Sequence, residues 1–271
     1  HDKSGRLPYI GFMRVIIYPS DMSDAHWSLL KPLLPSSAAT GRPRSCDMRQ
    51  IVNAILYVLC EGCRWRSLPK EYPPWQTVYW WFARWRDDQT LEFIRGFLVG
   101  IVRQSMERSA CPSAAVMDTQ SVKTASYAHT DSGYDAAKKV KGRKRAIVTD
   151  TQGLLLAVVV CSAAASENEC GFRVLQRFRQ TYSDTRLVWC DAGFKHTLIL
   201  TAVLLWHIVL CVVPRPKSTK FIPLARRWVV ERTFAWLSAA RRLVKDYERL
   251  PTSHEAFVEL AMIRILIRRL A

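Results

Sequence analysis

Three carboxylates stand where this sequence could support phosphodiester chemistry. Asp118 closes the apolar run Ala114-Ala115-Val116-Met117, Asp191 closes Leu187-Val188-Trp189-Cys190, and Glu231 lies in the stretch Arg226-Arg227-Trp228-Val229-Val230-Glu231-Arg232-Thr233-Phe234. Cutting a phosphodiester needs no covalent protein nucleophile, because two metal ions can activate the attacking oxygen and steady the leaving one. Hard ions such as Mg²⁺ take carboxylate oxygens, which rigid strand ends hold in place. An acid directly after a buried strand also needs a cation or several donors to stay ionised. Each acid has a plainer reading. Asp118 and Asp191 can cap the next turn, Asp191 more readily because Ala192-Gly193 follows it. Glu231 can be the surface partner of Arg227 one helical turn back. Asp150 also follows a strand-like run, but Gln152-Gly153 behind it makes it a hairpin turn residue.

The elements that must carry these acids fall into two parts. In the first, Ser23 caps a short helix to Leu34. The spacing of Met48, Ile51, Val52, Ile55, Leu56 and Leu59 then predicts a helix from Asp47 to Glu61, stopped by Gly62. Pro73-Pro74 open a helix containing Trp75, Val78, Tyr79, Trp81, Phe82 and Trp85, and another runs from Thr90 to Glu107. Residues 13–110 therefore read as an all-helical DNA-binding domain compatible with a helix–turn–helix. Residues 111–271 change character. Strands are expected at 114–118, 145–148, 154–161, 186–190 and 208–213, helices at 170–179 and 198–206, and two closing helices at 224–246 and 253–270. Residues 125–137 read as polar turn. This order gives an α/β class, a mixed sheet with helices on its faces. Residues 1–12 show no pattern and read as an upstream or tag-like segment before a start at Met13.

Composition narrows the partners. Of 271 residues, 40 are basic and 23 acidic, a net charge of +17, which points to a polyanion. The basic residues are spread over the whole chain, which speaks against a membrane surface. No apolar run reaches the roughly 18–20 residues of a membrane helix, and the start lacks a signal peptide core, so a cytoplasmic location is expected. The eight cysteines are scattered, and Cys60-Glu61-Gly62-Cys63 has no second pair to complete a zinc site; reduced thiols are expected. His26, His129, His196, His207 and His254 show no ligand spacing.

Phosphate contacts are expected from Lys138, Lys139, Lys141, Arg143, Lys144 and Arg145, crowded between the first two strands, and from Lys123 just past Asp118. Arg64, Arg66 and Gln76 are the candidates for contacts from the helical part. The aromatics at 75–85 read as core rather than as a stacking surface.

With these residues placed, the chain resembles the DDE transposases of bacterial insertion sequences, specifically the insertion sequence five family, over nearly its whole length from Met13. The stretches that carry the resemblance in the first part are Tyr18-Pro19-Ser20-Asp21, Gly41-Arg42-Pro43, Gly62-Cys63-Arg64-Trp65-Arg66-Ser67-Leu68-Pro69 and Pro73-Pro74-Trp75-Gln76-Thr77-Val78-Tyr79. In the second they are Met117-Asp118-Thr119-Gln120-Ser121-Val122-Lys123-Thr124, Gly133-Tyr134-Asp135, the basic run from Lys138 to Arg145, Asp191-Ala192-Gly193-Phe194 and Trp228 to Trp236. The resemblance implies an RNase H-like sheet and a metal triad at Asp118, Asp191 and Glu231. It implies Mg²⁺, with Mn²⁺ as an alternative and two ions in the site. It further implies cleavage at the element's ends, attack of the freed 3′-OH on target DNA, and work as a homodimer or larger assembly on double-stranded terminal repeats. Arg227 matches the arginine of a Tyr, Arg, Glu, Lys signature. Leu224 stands at its Tyr and Ser238 at its Lys, for which Arg241 or Arg242 would substitute; Ala146 replaces a usual His, and Ser166-Glu167-Asn168-Glu169 replaces an Asp-containing turn. The alternatives are an RNase H-like nuclease that cuts without joining and an inactive DNA-binding relic.

Overall fold

A computed structural model describes residues 18–36, 46–127, 130–213 and 228–271. Met13 and the residues before it, Gly41-Arg42-Pro43, His129, Leu224 and Arg227 lie outside that set.

The amino-terminal helices form where the apolar spacing asks for them. Helix α1 (Asp24–Leu30) is capped by Ser23, whose hydroxyl accepts from His26 N, and runs into a 3₁₀ turn, Lys31–Leu33. Helix α2 (Met48–Glu61) is capped by Asp47 and buries Ile51, Val52, Ile55, Leu56 and Leu59. It ends at Gly62, whose φ of +70° suits glycine and whose α-carbon faces the Arg241 side chain, where an added Cβ would sit 3.2 Å from Arg241 Cβ. Helix α3 (Trp75–Asp87) buries Val78, Trp81, Phe82 and Trp85, so that face of the aromatic stretch is core, while Tyr79 and Trp80 are exposed. Helix α4 is Thr90–Ser105.

The sheet comprises β1 (Ala114–Lys123), β2 (Gly133–Asp135), β3 (Val140–Asp150), β4 (Leu155–Ser162), β5 (Leu187–Cys190) and β6 (Val209–Val212). Strands β1 and β3 pair antiparallel, as do β3 and β4, whereas β1–β5 and β5–β6 are parallel. Beyond β1, the other edge of β3 is shared by β2 and β4. Helix α5 (Glu167–Thr181) packs on one face of the sheet, while α7 (Trp228–Ser238) and α9 (Pro251–Leu270) pack against β1, β3 and β4. Helix α6 (His196–Trp206) lies between β5 and β6 in the chain. Helix α9 also packs on α1 to α4. Its buried Glu259 takes the guanidinium of buried Arg95 on α4 at 2.7 Å. A mixed sheet with helices on both faces and a helical region ahead of it is the RNase H-like architecture.

Three expectations need correction. The basic run is a loop only at Lys138 and Lys139: β3 begins at Val140 and β1 runs on to Lys123, so the two strands pair from Gly142 onward. The charged side chains disguise this strand. Their stems cover the sheet and their heads find polar partners. The predicted helix 224–246 also breaks. Helix α7 ends at Ser238, Ala240 is extended, and a short helix α8 (Arg241–Val244) follows. No Gly or Pro marks that break; it lies where α8 packs against α2. Strand β2, read as turn, is only three residues long.

Candidate active site

Asp118 sits within β1, opposite Ile147 of β3. On β1's other side, Val116 is level with Trp189 of β5 in a parallel pairing. Two residues further along come Asp118, still within β1, and Asp191, the first residue past β5, so the pairing brings these acids towards each other from distant parts of the chain. Cys190 registers both charges. Burial first, then Asp191, with Cys211 and Asp118 adding, pushes its thiol up to about 12, so no thiolate forms beside them at neutral pH. Asp191 also behaves as a turn former, its Oδ1 accepting from Gly193 N at 2.9 Å. Asp118 Oδ1 accepts from Thr119 N at 2.7 Å.

Glu231 is exposed in the first turn of α7, beside the buried Val229, Val230, Thr233 and Phe234. That helix covers the face of β1 to which Asp118 belongs. The Phe234 ring lies 6.0 Å from the Arg145 guanidinium, and Arg145 donates to Gln120, two residues after Asp118 on the same face. Among the described residues no three acidic, His or Cys side chains are gathered round one point. The β1–β5 pairing and the response of Cys190 place Asp118 and Asp191 near each other, and the three carboxylates do not form a closed cluster among the described residues. The donor chemistry fits a hard divalent ion, for Mg²⁺ takes one or two protein carboxylates and completes its shell with water and substrate phosphate.

One acid at this place carried only a weak sequence signal. Glu167, at the start of α5, lies against the Asp191 turn. A Cβ added at Gly193 would overlap its Oε2 and come within 3.0 Å of Asp191 Oδ1. Burial and then the charge of Asp191 raise the Glu167 carboxyl above its ordinary value, with Lys144 and Lys138 opposing. In the sequence, Ser166 three residues before Glu169 reads as a helix cap, and Ser166 Oγ does accept from Glu169 N at 3.1 Å.

The expected phosphate-binding residues divide sharply. Lys138, Lys139 and Lys141 are exposed. Arg143, Lys144 and Arg145 are buried and occupied. Arg143 donates to Asp246 Oδ2 at 2.8 Å and to the carbonyls of Thr130, Glu248 and Arg249. Lys144 donates to Ala165 O at 2.9 Å and lies 3.7 Å from Asp135. Arg145 donates to Gln120 and to Leu243 O. Group phosphate binding by all six is therefore corrected: the last three pin the sheet to α8 and to the loops around Thr130, Ala165 and Asp246–Arg249. Lys123, Arg64, Arg66 and Gln76 are exposed, and Arg227 lies outside the described residues. Arg242, a candidate stand-in for the signature lysine, is buried and bonded to Glu248 at 2.7 Å; Arg241 reaches Glu61 at 3.4 Å. Asp150 is a turn residue, its Oδ1 accepting from Gln152 N and Leu154 N and its other oxygen paired with Arg103.

Aspartates set close together at the β1–β5 junction of a mixed sheet, in a chain of net charge +17, are the arrangement expected of an enzyme that processes nucleic acid. A family model described as "Transposase DDE domain" matches residues 109–266, and one described as "Putative transposase of IS4/5 family" matches residues 22–94. The chain belongs to the DDE transposases, in the IS4/5 group. It is a DNA transposase, a polynucleotidyl transferase of a family that works with a divalent ion, generally Mg²⁺. No curated protein and no solved structure matches it. No helix among the described residues is long and apolar enough to cross a membrane.

Proposed function

We propose that Asp118, Asp191 and Glu231 are the catalytic carboxylates, and that the chain cuts at insertion-sequence ends and passes the freed 3′-OH to target DNA. The observation that carries the reading is the parallel pairing of β1 with β5, whose last level pair, Val116 and Trp189, lies two residues before Asp118 and Asp191. Divalent ions bound there, two in this reading, would activate the attacking oxygen and neutralise charge on the scissile phosphate. The aspartates would hold such ions by oxygens placed at the β1–β5 junction, and Glu231, on the helix over the same face, would close in to complete the set when ions and DNA bind. Glu167, against Asp191, adds a carboxylate that positions the Asp191 turn. Residues 13–110 grip the terminal repeats, and two copies of the chain hold the two ends, so the working form is at least a homodimer. Incubation with DNA carrying the element's own ends, Mg²⁺ and a target plasmid should yield strand-joined products. Nicked ends with no joined product would instead mark a nuclease.

Lys138, Lys139 and Lys141 are the phosphate contacts of this reading, supported by their exposure and by the reach of Lys138's charge to Glu167. Changing all three to alanine should reduce the slope of log affinity against log salt by about 2–3, near 0.9 per phosphate lost. Titrations by anisotropy at several salt concentrations measure it, and an unchanged slope removes them from the interface.

A further inference from the structure

Away from the acids, a recess of about 630 Å³ opens between the helical region and the sheet region. Its walls come from the 3₁₀ turn Trp65–Ser67, the start of α3, the loop after β1 and the chain between α8 and α9. We propose that it receives one unpaired nucleotide of the DNA being processed. The inference rests on DNA being the substrate and deepens that reading.

The chemistry of the walls makes the case. Tyr79 and Tyr127 are exposed there, 38% and 56% respectively, and Tyr247 is half-buried. The Arg66 guanidinium lies 5.4 Å from the Trp75 ring centre, which offers a flat cation as a further stacking plane. Arg64, Arg66 and Arg249 are exposed, and no carboxylate stands within ion-pair distance of them among the described residues. The acid in the recess, Glu248, is buried and already bonded to Arg242 at 2.7 Å. The recess is therefore cationic and aromatic at once, and its volume lies in the range of about 300–1,000 Å³ typical of small-ligand sites.

Paired DNA cannot use such a site. A duplex offers phosphates and base edges, while its base faces are occupied by stacking. Only a base out of the stack presents a face to an aromatic ring, and only a nucleotide adds a phosphate for the arginines. The recess is also tied to the catalytic strand. Ala125 N donates to Asp246 O at 2.8 Å, and Asp246 N donates to Lys123 O at 2.9 Å, so the wall containing Tyr247 continues from the end of β1. From Asp118 to Thr124 β1 advances about 20 Å, or about six nucleotide steps of 3.4 Å.

The test uses the full chain in a metal-free buffer, where cutting plays no part. The probes are a blunt DNA duplex and the same duplex with one unpaired 2-aminopurine. The wild-type chain should prefer the bulged probe by about fivefold or more, the low end of base–aromatic stacking, and quench its fluorescence. Tyr127→Ala, an exposed substitution, and Tyr247→Ala, checked for an unchanged melting point, should each lose the preference while keeping affinity for the blunt duplex. Asp118→Asn should keep it. Equal wild-type affinity for both probes overturns the proposal, as does an equal loss of both in the Tyr127 variant. So does a Tyr127 variant that dissolves a dimer without changing the preference, because a second copy then fills the recess. Failure of cutting with the preference intact would overturn the catalytic assignment alone.

Discussion

Asp118→Asn and Asp191→Asn are each expected to lower end cleavage about 10³-fold while DNA binding is retained. Losing an anionic ion ligand removes several kcal/mol of transition-state charge stabilisation, and each 1.36 kcal/mol is a factor of about ten in rate. The substitutions are nearly isosteric, so the melting point should hold. The sign of the binding effect separates this role from others. Removing a negative charge beside a phosphate relieves repulsion, so affinity in metal-free buffer should stay level or rise. Cleavage assays paired with anisotropy on the same preparations measure both. Near-normal cutting excludes the residue from the site, and weaker DNA binding assigns it to substrate contact. Glu231→Gln should behave in the same way. Its effect bears directly on whether α7 delivers the third carboxylate.

Arg143→Ala should be the most destabilising single change in the basic run. The guanidinium and Asp246 are both fully buried at 2.8 Å, and removing one partner leaves the other charged in low dielectric. Breaking such a pair costs about 3–5 kcal/mol, which for a chain of this size lowers the melting point by roughly 10 °C. Exposed Lys141→Ala should move it by less than about 2 °C. If the two variants melt alike, Arg143 is not a structural post. The pair also makes stability depend on acid. Burial pushes the Asp246 carboxyl up, but His254, whose Nδ1 lies 3.2 Å away, with Glu248 N and Arg143, holds it net below its ordinary 3.8. Its contribution is therefore complete above about pH 4 and is lost as pH falls through the depressed value. Urea midpoints should fall with acid more steeply in the wild type than in Asp246→Asn.

The helices of the first part and the apolar strand cores leading to Asp118 and Asp191 were legible because each rests on local signals: apolar spacing, a capping Ser or Asp, a stopping Gly; that β1 runs past Asp118 to Lys123 was not. The two aspartates could be proposed because an acid after a buried run is chemically unusual. What could not be read were features set by distant contacts. Arg143, Lys144 and Arg145 look like a solvated DNA-binding run until their partners are known, and those partners lie as far off as Asp246 and Leu243. The break after Ser238 has no punctuating residue. Glu167 was passed over within Ser166-Glu167-Asn168-Glu169, ahead of a helix expected only from Cys170, because its approach to Asp191 depends on how α5 and β5 meet. The recess between the two regions is drawn from four separate segments, so no single stretch announces it.

Direct pairing of β1 with β5 divides the chain into stretches that tolerate length change and stretches that do not. The turn joining β3 to β4 and the crossover through α5 connect the two aspartates along the chain without setting the distance between them. Residues gained or lost at their surface-facing bends leave the pair where it is. Losing one residue from Val188 to Cys190 instead slides Asp191 by a single strand position and turns it to the opposite side of the sheet. In drifting copies of such an element, length variation should therefore collect in the hairpin and crossover and be absent from that short stretch before the aspartate.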